Sequence, residues 1–262
     1  MEEAARAAAD TAVVTALPMG APGPADGPHP AAGAPPAAAH VIDSNGGGGR
    51  PALDALEPAV LEAVTDALAA GRSTTVTVGD RQLFIEVFPR PPRLVIFGAV
   101  QVAIPLVRFA RELGFQTIVA DARAAFATRE RFADADELVV AWPEEAARRI
   151  GLQAPDSVVV MTHDPKLDEP AIAAAIEAGC GYVGAMGSRR TQQARRERLR
   201  QAGLDDGELE RLRAPIGLDL GGRDPAETAL AILAEVVAFR HGATATPMSR
   251  RDGRRAEPLP VG

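Results

Sequence analysis

The sequence predicts an α/β fold: a mostly parallel sheet with helices on its faces, preceded by a small α+β module. Three features carry this expectation. From residue 93 onward, short runs of Val, Ile, Leu and Tyr alternate with amphipathic stretches, the rhythm of strands and crossover helices. Runs such as "SVVVMT", residues 157–162, are apolar without alternation, as strands buried on both faces require. Pro89, Pro91 and Pro92 form a stiff connector between the module and the main body. The expected division is residues 1–88 for the module, 93–243 for the main body and 244–262 for a disordered tail.

Residues 18–50 are dominated by Pro, Gly and Ala. They offer few large side chains to offset the entropy of ordering, so most of the stretch reads as loop or disorder. Leu53, Leu56, Val60, Val64 and Leu68 then recur at helical spacing before Gly71, which suits a helix C-terminus. "TTVTVGDRQLFIEVF" reads as two short strands turning at Gly79-Asp80.

In the main body, strands are expected at 94–98, 115–120, 137–141, 157–162 and 181–185. The first crossover helix places Val102, Leu106, Phe109, Ala110 and Leu113 on one face and stops at Gly114. The last helix is the best marked: Asp224 at the N-cap, Pro225 next and Glu227 third form a capping box, with Leu230, Leu233 and Val237 on its apolar face.

Bulk composition excludes several functions. The 262 residues are 47% hydrophobic and 24% charged, with a net charge of −7. That surplus of acid argues against a nucleic-acid partner. Cys180 is the single cysteine, so no internal disulfide forms and no Cys/His cradle for a metal exists, which fits a reducing compartment. The N-terminus lacks a basic signal region, and no apolar run approaches the ~18 residues of a membrane span. The reading is a cytoplasmic protein with no membrane partner.

The stretch after the first main-body strand begins like a nucleotide-binding turn but retains one glycine, Gly98, before Ala99-Val100-Gln101-Val102. Bulky valines stand where close approach to a pyrophosphate needs small residues. Asp121 lies about 23 residues beyond Gly98, the spacing of a ribose-binding acid, and reads either as that ligand or as the partner of Arg123. With strand order 3-2-1-4-5, the loops after the first and fourth strands share one crevice. There Thr162, His163 and Asp164 would stand beside Gly98 and Gln101. His163 reads as acid, base or ligand, or as a turn residue satisfied locally. The loop after the fifth strand, "GAMGSRRT", has Gly184 and Gly187 for a sharp turn and Ser188, Arg189 and Arg190 as donors to an anion. Four later arginines, at 195, 196, 198 and 200, read as a solvated helix face. In "APIGLDLGG", residues 214–222, Asp219 reads as a polar anchor or as a cap for nearby backbone. Cys180 reads as a packed apolar side chain. No catalytic residue and no metal ligand is assigned.

Taken together, "RLVIFGAVQVA", "FATRERFADADELVVAWP", "VVVMTHDPKLDEPAI", "YVGAMGSRRT" and "APIGLDLGGRDPAETALAILAEVVA" resemble the XdhC/CoxI family over residues 90–240. The resemblance implies a Rossmann-like main domain behind a small, eroded N-terminal module. It also implies an accessory, non-catalytic role in maturing a molybdenum hydroxylase of the xanthine or carbon monoxide dehydrogenase type. On this likeness the chain carries molybdenum cofactor as cargo to the apo-enzyme, with a cysteine desulfurase and a second copy of the chain as further partners. The ligand-facing positions it implies are Gly98, Gln101, Asp121, His163, Asp164, Gly187, Ser188, Arg189, Arg190 and Asp219. Gln101 departs from the family, which often has His there. Two other readings stand beside this one: an NAD(P)-dependent oxidoreductase using the crevice, and an assembly scaffold that binds no ligand.

Overall fold

The computed structural model describes residues 11–17, 37–43 and 57–250. The chain divides into two compact units between Arg90 and Pro91.

The first unit is a four-stranded antiparallel sheet with one helix. Its elements are β1 (Thr11–Leu17), β2 (Ala37–Asp43), α1 (Pro58–Ala70), β3 (Thr74–Val78) and β4 (Arg81–Phe88), with the strands in the order β2-β1-β4-β3. Leu83, Ile85 and Val87 alternate along β4 and, with Ala12 and Val14, pack against Val60, Val64 and Ala67 of α1. Gly71 ends α1 in a left-handed conformation at φ 59°, as its position predicts. The β3–β4 turn at Gly79 is as expected. Leu53 and Leu56 lie outside the described residues, as do 18–36 and 44–50. Reading most of 18–50 as loop or disorder, with no strand placed in it, missed β2. Averaging over a Pro- and Gly-rich stretch hides seven residues that gain order from β1, with which they pair from Thr11↔Asp43 to Ala16↔Ala37.

The second unit is a six-stranded parallel sheet. In chain order it comprises β5 (Arg93–Phe97), α2 (Ala103–Glu112), β6 (Gln116–Ala120), β7 (Glu137–Val139), α3 (Pro143–Ile150), β8 (Ser157–Val160) and α4 (Pro165–Glu177). It continues with β9 (Tyr182–Ala185), α5 (Arg189–Gln201), α6 (Asp206–Glu210), β10 (Leu212–Arg213) and α7 (Pro225–Arg240). The strands lie in the order β10-β9-β8-β5-β6-β7. This is the expected order with one addition, the two-residue β10, too short to leave a hydrophobic pattern.

Both faces of the sheet are buried, which is why its strands lack alternation. Leu94 and Ile96 of β5 pack with Leu106 and Val107 of α2 and Ile232, Leu233 and Val236 of α7. Val95 and Phe97 point the other way, into a core shared with Ala146, Ile172 and Leu199 from α3, α4 and α5.

Two helix faces differ from expectation. On α2 the buried residues are Ala103, Leu106, Val107 and Ala110, while Leu113 is exposed. On α7 they are Ala229, Ile232, Leu233 and Val236, and Leu230 is exposed. Leu106, Ala110 and Leu233 are buried as expected, with Ala103 and Ala229 added to the buried faces. The α7 capping box is present in full, with the Asp224 side chain accepting from Ala226 N and Glu227 N. Among the described residues no helix is long and apolar enough to cross a membrane.

Candidate functional site

The loops that carry the predicted residues leave the carboxyl edge of the parallel sheet. Phe97 O accepts from Met161 N (2.9 Å) and Val160 O from Met186 N (2.9 Å), so β5, β8 and β9 end side by side. Gly98 follows β5 at φ 118°. A Cβ there would lie 2.9 Å from Thr162 Cγ2 and 3.1 Å from Thr162 N. Gly98 is therefore required so that the loops after β5 and β8 can touch, a different task from approach to a pyrophosphate.

Asp121, at the end of β6, is buried and turned inward. It accepts from Ala99 N (2.8 Å), Arg123 N (2.9 Å), Arg123 Nε (2.9 Å) and Arg123 Nη2 (2.8 Å). A carboxylate has about four acceptor sites, and these four donors engage them. Of the two roles open to Asp121, the structure shows the partner of Arg123, with the added duty of pinning the turn at Ala99. Burial alone raises its pKa, but the hydrogen bonds from Arg123 and Ala99 outweigh it and hold the carboxyl below the ordinary value. Because the folded value is the lower one, the stability Asp121 contributes is complete above the usual carboxylate range, about pH 4. It is lost as pH falls through the lowered value. Asp121→Asn should therefore flatten the acid limb of the stability–pH curve, measured by urea unfolding. An unchanged limb would refute the assignment.

Beneath this turn, Phe97, Gly98, Asp121, Pro143, Thr162 and Leu167 help enclose a void of only about 10 Å³, room for one water at most. Nothing larger than a water fits between β5 and β6 there. An open groove of about 870 Å³ between α3, α4 and α5 contains none of the predicted residues.

The organising residue of the edge is Asp168 in the first turn of α4, a position that sequence reasoning missed. It is fully buried. It accepts from Thr162 N (3.1 Å), Thr162 Oγ1 (2.6 Å), His163 N (3.1 Å) and Arg195 Nη2 (2.7 Å). Arg195 also donates to Met186 O (3.0 Å) and Gln192 Oε1 (2.9 Å). Thus one ion pair ties the loop after β8 to the loop after β9. The reading of the later arginines as a solvated face holds for Arg198 and Arg200, which are exposed, and fails for Arg195 and Arg196. Arg195 is buried, Arg196 donates to Leu209 O and Leu212 O, Arg198 pairs with Glu169 and Arg200 with Asp206. Composition counts charges but cannot say which ones meet carboxylates and carbonyls in three dimensions.

The remaining predicted residues divide into those these bonds bring together and those they do not. His163 adopts φ 64°, unusual for a residue with a side chain, and its imidazole is exposed without a hydrogen bond among the described residues. Asp164 caps α4, accepting from Lys166 N (3.0 Å). Gly187 follows β9 at φ 140°, where a Cβ would meet Gln192 and Thr191 side chains at 2.7 and 2.8 Å. Gly184, expected in the turn, lies within β9 and makes space for Ile216. Ser188 caps α5, accepting from Thr191 N (3.3 Å). Arg189 and Arg190 follow, exposed and with no hydrogen bond or ion pair among the described residues.

Gln101 is exposed in the loop after β5, on the same edge but with no side-chain bond among the described residues. Asp219 corrects the expectation: it is exposed and neither anchors nor caps among the described residues. The segment around it is held instead by Glu235 of α7, whose Oε2 accepts from Gly217 N (2.6 Å) and from Tyr182 Oη (3.0 Å), and by Leu218 N donating to Ala231 O (3.1 Å). Cys180 is buried, and its thiol is pushed up to about 11 by burial, so it packs as an apolar side chain.

Comparison with known proteins identifies the family and the fold. Residues 94–236 match the model of the XdhC Rossmann domain. The chain is 32% identical over 158 residues to a probable xanthine dehydrogenase subunit from Bacillus subtilis (strain 168), covering 60% of this chain and 46% of that protein. It is 35% identical over 99 residues to the molybdenum cofactor insertion chaperone PaoD of Escherichia coli (strain K12), covering 38% of this chain and 30% of that protein. The chain thus spans less than half the length of these relatives. A crystal structure of a xanthine dehydrogenase from Bacillus halodurans superposes with a TM-score of 0.54 at 20% identity, covering 92% of this chain and 93% of that one, a likeness of fold. With more than half its length matched by that domain model, the chain belongs to the XdhC family, and its second unit is an XdhC Rossmann domain.

Proposed function

We propose that this protein is an accessory factor that binds molybdenum cofactor and hands it to the apo-form of a molybdenum hydroxylase. The observation that carries the reading is the start of α5. Its first turn holds no acidic residue and two arginines without partners among the described residues, Arg189 and Arg190, behind the Ser188 cap. Cations at a helix N-terminus oppose the helix dipole; an anion bound there reverses the cost, taking up free N–H groups and guanidinium donors together. The fit to the cargo is one of donor chemistry: a phosphate monoester on a pterin suits this cationic turn. The names of the relatives support this choice of cargo and client.

The NAD(P) reading finds no comparable support, since Asp121 is engaged by four donors and the glycine turn is closed by Thr162. A purified chain carrying both Arg189→Ala and Arg190→Ala should bind molybdenum cofactor at least about tenfold more weakly than the unaltered chain, as loss of charge-assisted hydrogen bonds requires. Retention of cofactor through gel filtration measures it. Equal retention by both proteins would refute the reading.

A further inference from the structure

We propose that β3 is a docking edge for a second copy of the chain, pairing antiparallel with its own counterpart about a two-fold axis at Val76. This edge lies in the first unit and needs no ligand at the second.

Among the described residues β3 pairs with β4 alone. Natural edge strands are guarded by charge, proline, a bulge, brevity or a covering segment. β7 and β10 are short, three and two residues, and β2 meets β1 through a register shift between Val14 and Ala16. β3, Thr-Thr-Val-Thr-Val, is five residues long, uncharged and in unbroken register with β4. Val87 N of β4 donates to Ser73 Oγ (3.0 Å), so the alternate residues Leu83 and Ile85 also turn their backbone toward β3. Their partners Val76 and Thr74 are thereby engaged, and the backbone N–H and C=O of Thr75 and Thr77 face outward.

Self-complementarity selects a second copy as the occupant. With Val76 opposite the partner's Val76, Thr75 stands opposite the partner's Thr77 and Thr77 opposite the partner's Thr75, so each outward N–H meets an outward carbonyl. Val76 and Val78 are half-buried against the core of the first unit, and the partner's Val76 extends that apolar layer. The same register sets Arg72 opposite the partner's Asp80 at both ends. Both residues are exposed, and neither side chain has an ion pair or hydrogen bond among the described residues. A shift of two residues would separate these charges, so they fix the register. An edge this short buries less than stable interfaces do, which places association in roughly the micromolar range.

Sedimentation velocity on the full chain tests this. The unaltered chain should pass from one to two chain masses between about 1 and 100 µM. Arg72→Asp and Asp80→Arg each set like charges opposite one another at both ends, and each should weaken association about tenfold. An equimolar mixture of the two variants should recover it, since every facing pair in the mixed dimer is again opposite in sign. Thr75→Pro combined with Thr77→Pro removes the outward N–H groups and leaves the bonds to β4, so it should abolish association with the circular dichroism unchanged. If that variant does not fold, the charge-reversed mixture decides alone. An unaltered chain that stays monomeric at about 100 µM overturns the proposal. So does a dimer that no single charge reversal weakens, which would form through another face, or a mixture that associates no better than its components.

Discussion

Replacing Asp168 by alanine should lower the stability of the second unit by about 3–5 kcal/mol, the cost of leaving a buried charge without its partner. The substitution strands the Arg195 guanidinium and removes the acceptor for Thr162 N, Thr162 Oγ1 and His163 N in one step. Urea unfolding followed by circular dichroism measures it as a lower midpoint with an unchanged slope. The double variant Asp168→Ala with Arg195→Met should lose less than Asp168→Ala alone, because the stranded charge goes with its partner. A single variant within about 1 kcal/mol of the parent would show that the pair is not buried as described.

Gly98→Ala should cost about 3 kcal/mol, combining backbone strain with overpacking. At φ 118° an alanine is strained, and its Cβ meets the Thr162 backbone, which cannot rotate away as a side chain does. The control is Gly114→Ala. Gly114 also has positive φ, 75°, but open space around it, so that variant should lose only about 1–2 kcal/mol, the strain alone. Thermal and urea unfolding of the pair separates the two terms. Equal losses at both positions would mean that Gly98 does not bring the loops after β5 and β8 together.

How much of this was legible in the sequence follows from what each feature depends on. Continuous apolar runs and the Asp224 capping box depend on neighbours in the chain, so the strands and the last helix could be read directly. The crevice loops could be read because parallel order places carboxyl ends together. Asp168 and Arg195 could not, since Arg195 is one of many charged residues in a charged helix and its pairing with Asp168 exists only once α4 and α5 pack. A signal was present nonetheless: Thr162-His163-Asp164 followed at Asp168 by an acid in the same first turn, opposite a helix whose first turn has no acid. Asp219 misled for the converse reason, because an apolar neighbourhood in sequence does not oblige the one polar residue in it to turn inward. β2 and β10 take their order from a partner strand, and their own residues carry little pattern.

The central claim is that the loops after two separate strands, β8 and β9, form one ligand site across the carboxyl edge. A titration of the isotope-labelled chain with a pterin phosphate, followed by nuclear magnetic resonance, tests it most directly. The imidazole of His163 and the amides of Arg189 and Arg190 should shift together along one binding curve with a single dissociation constant. Shifts confined to one loop, or two curves with different midpoints, would contradict a shared site.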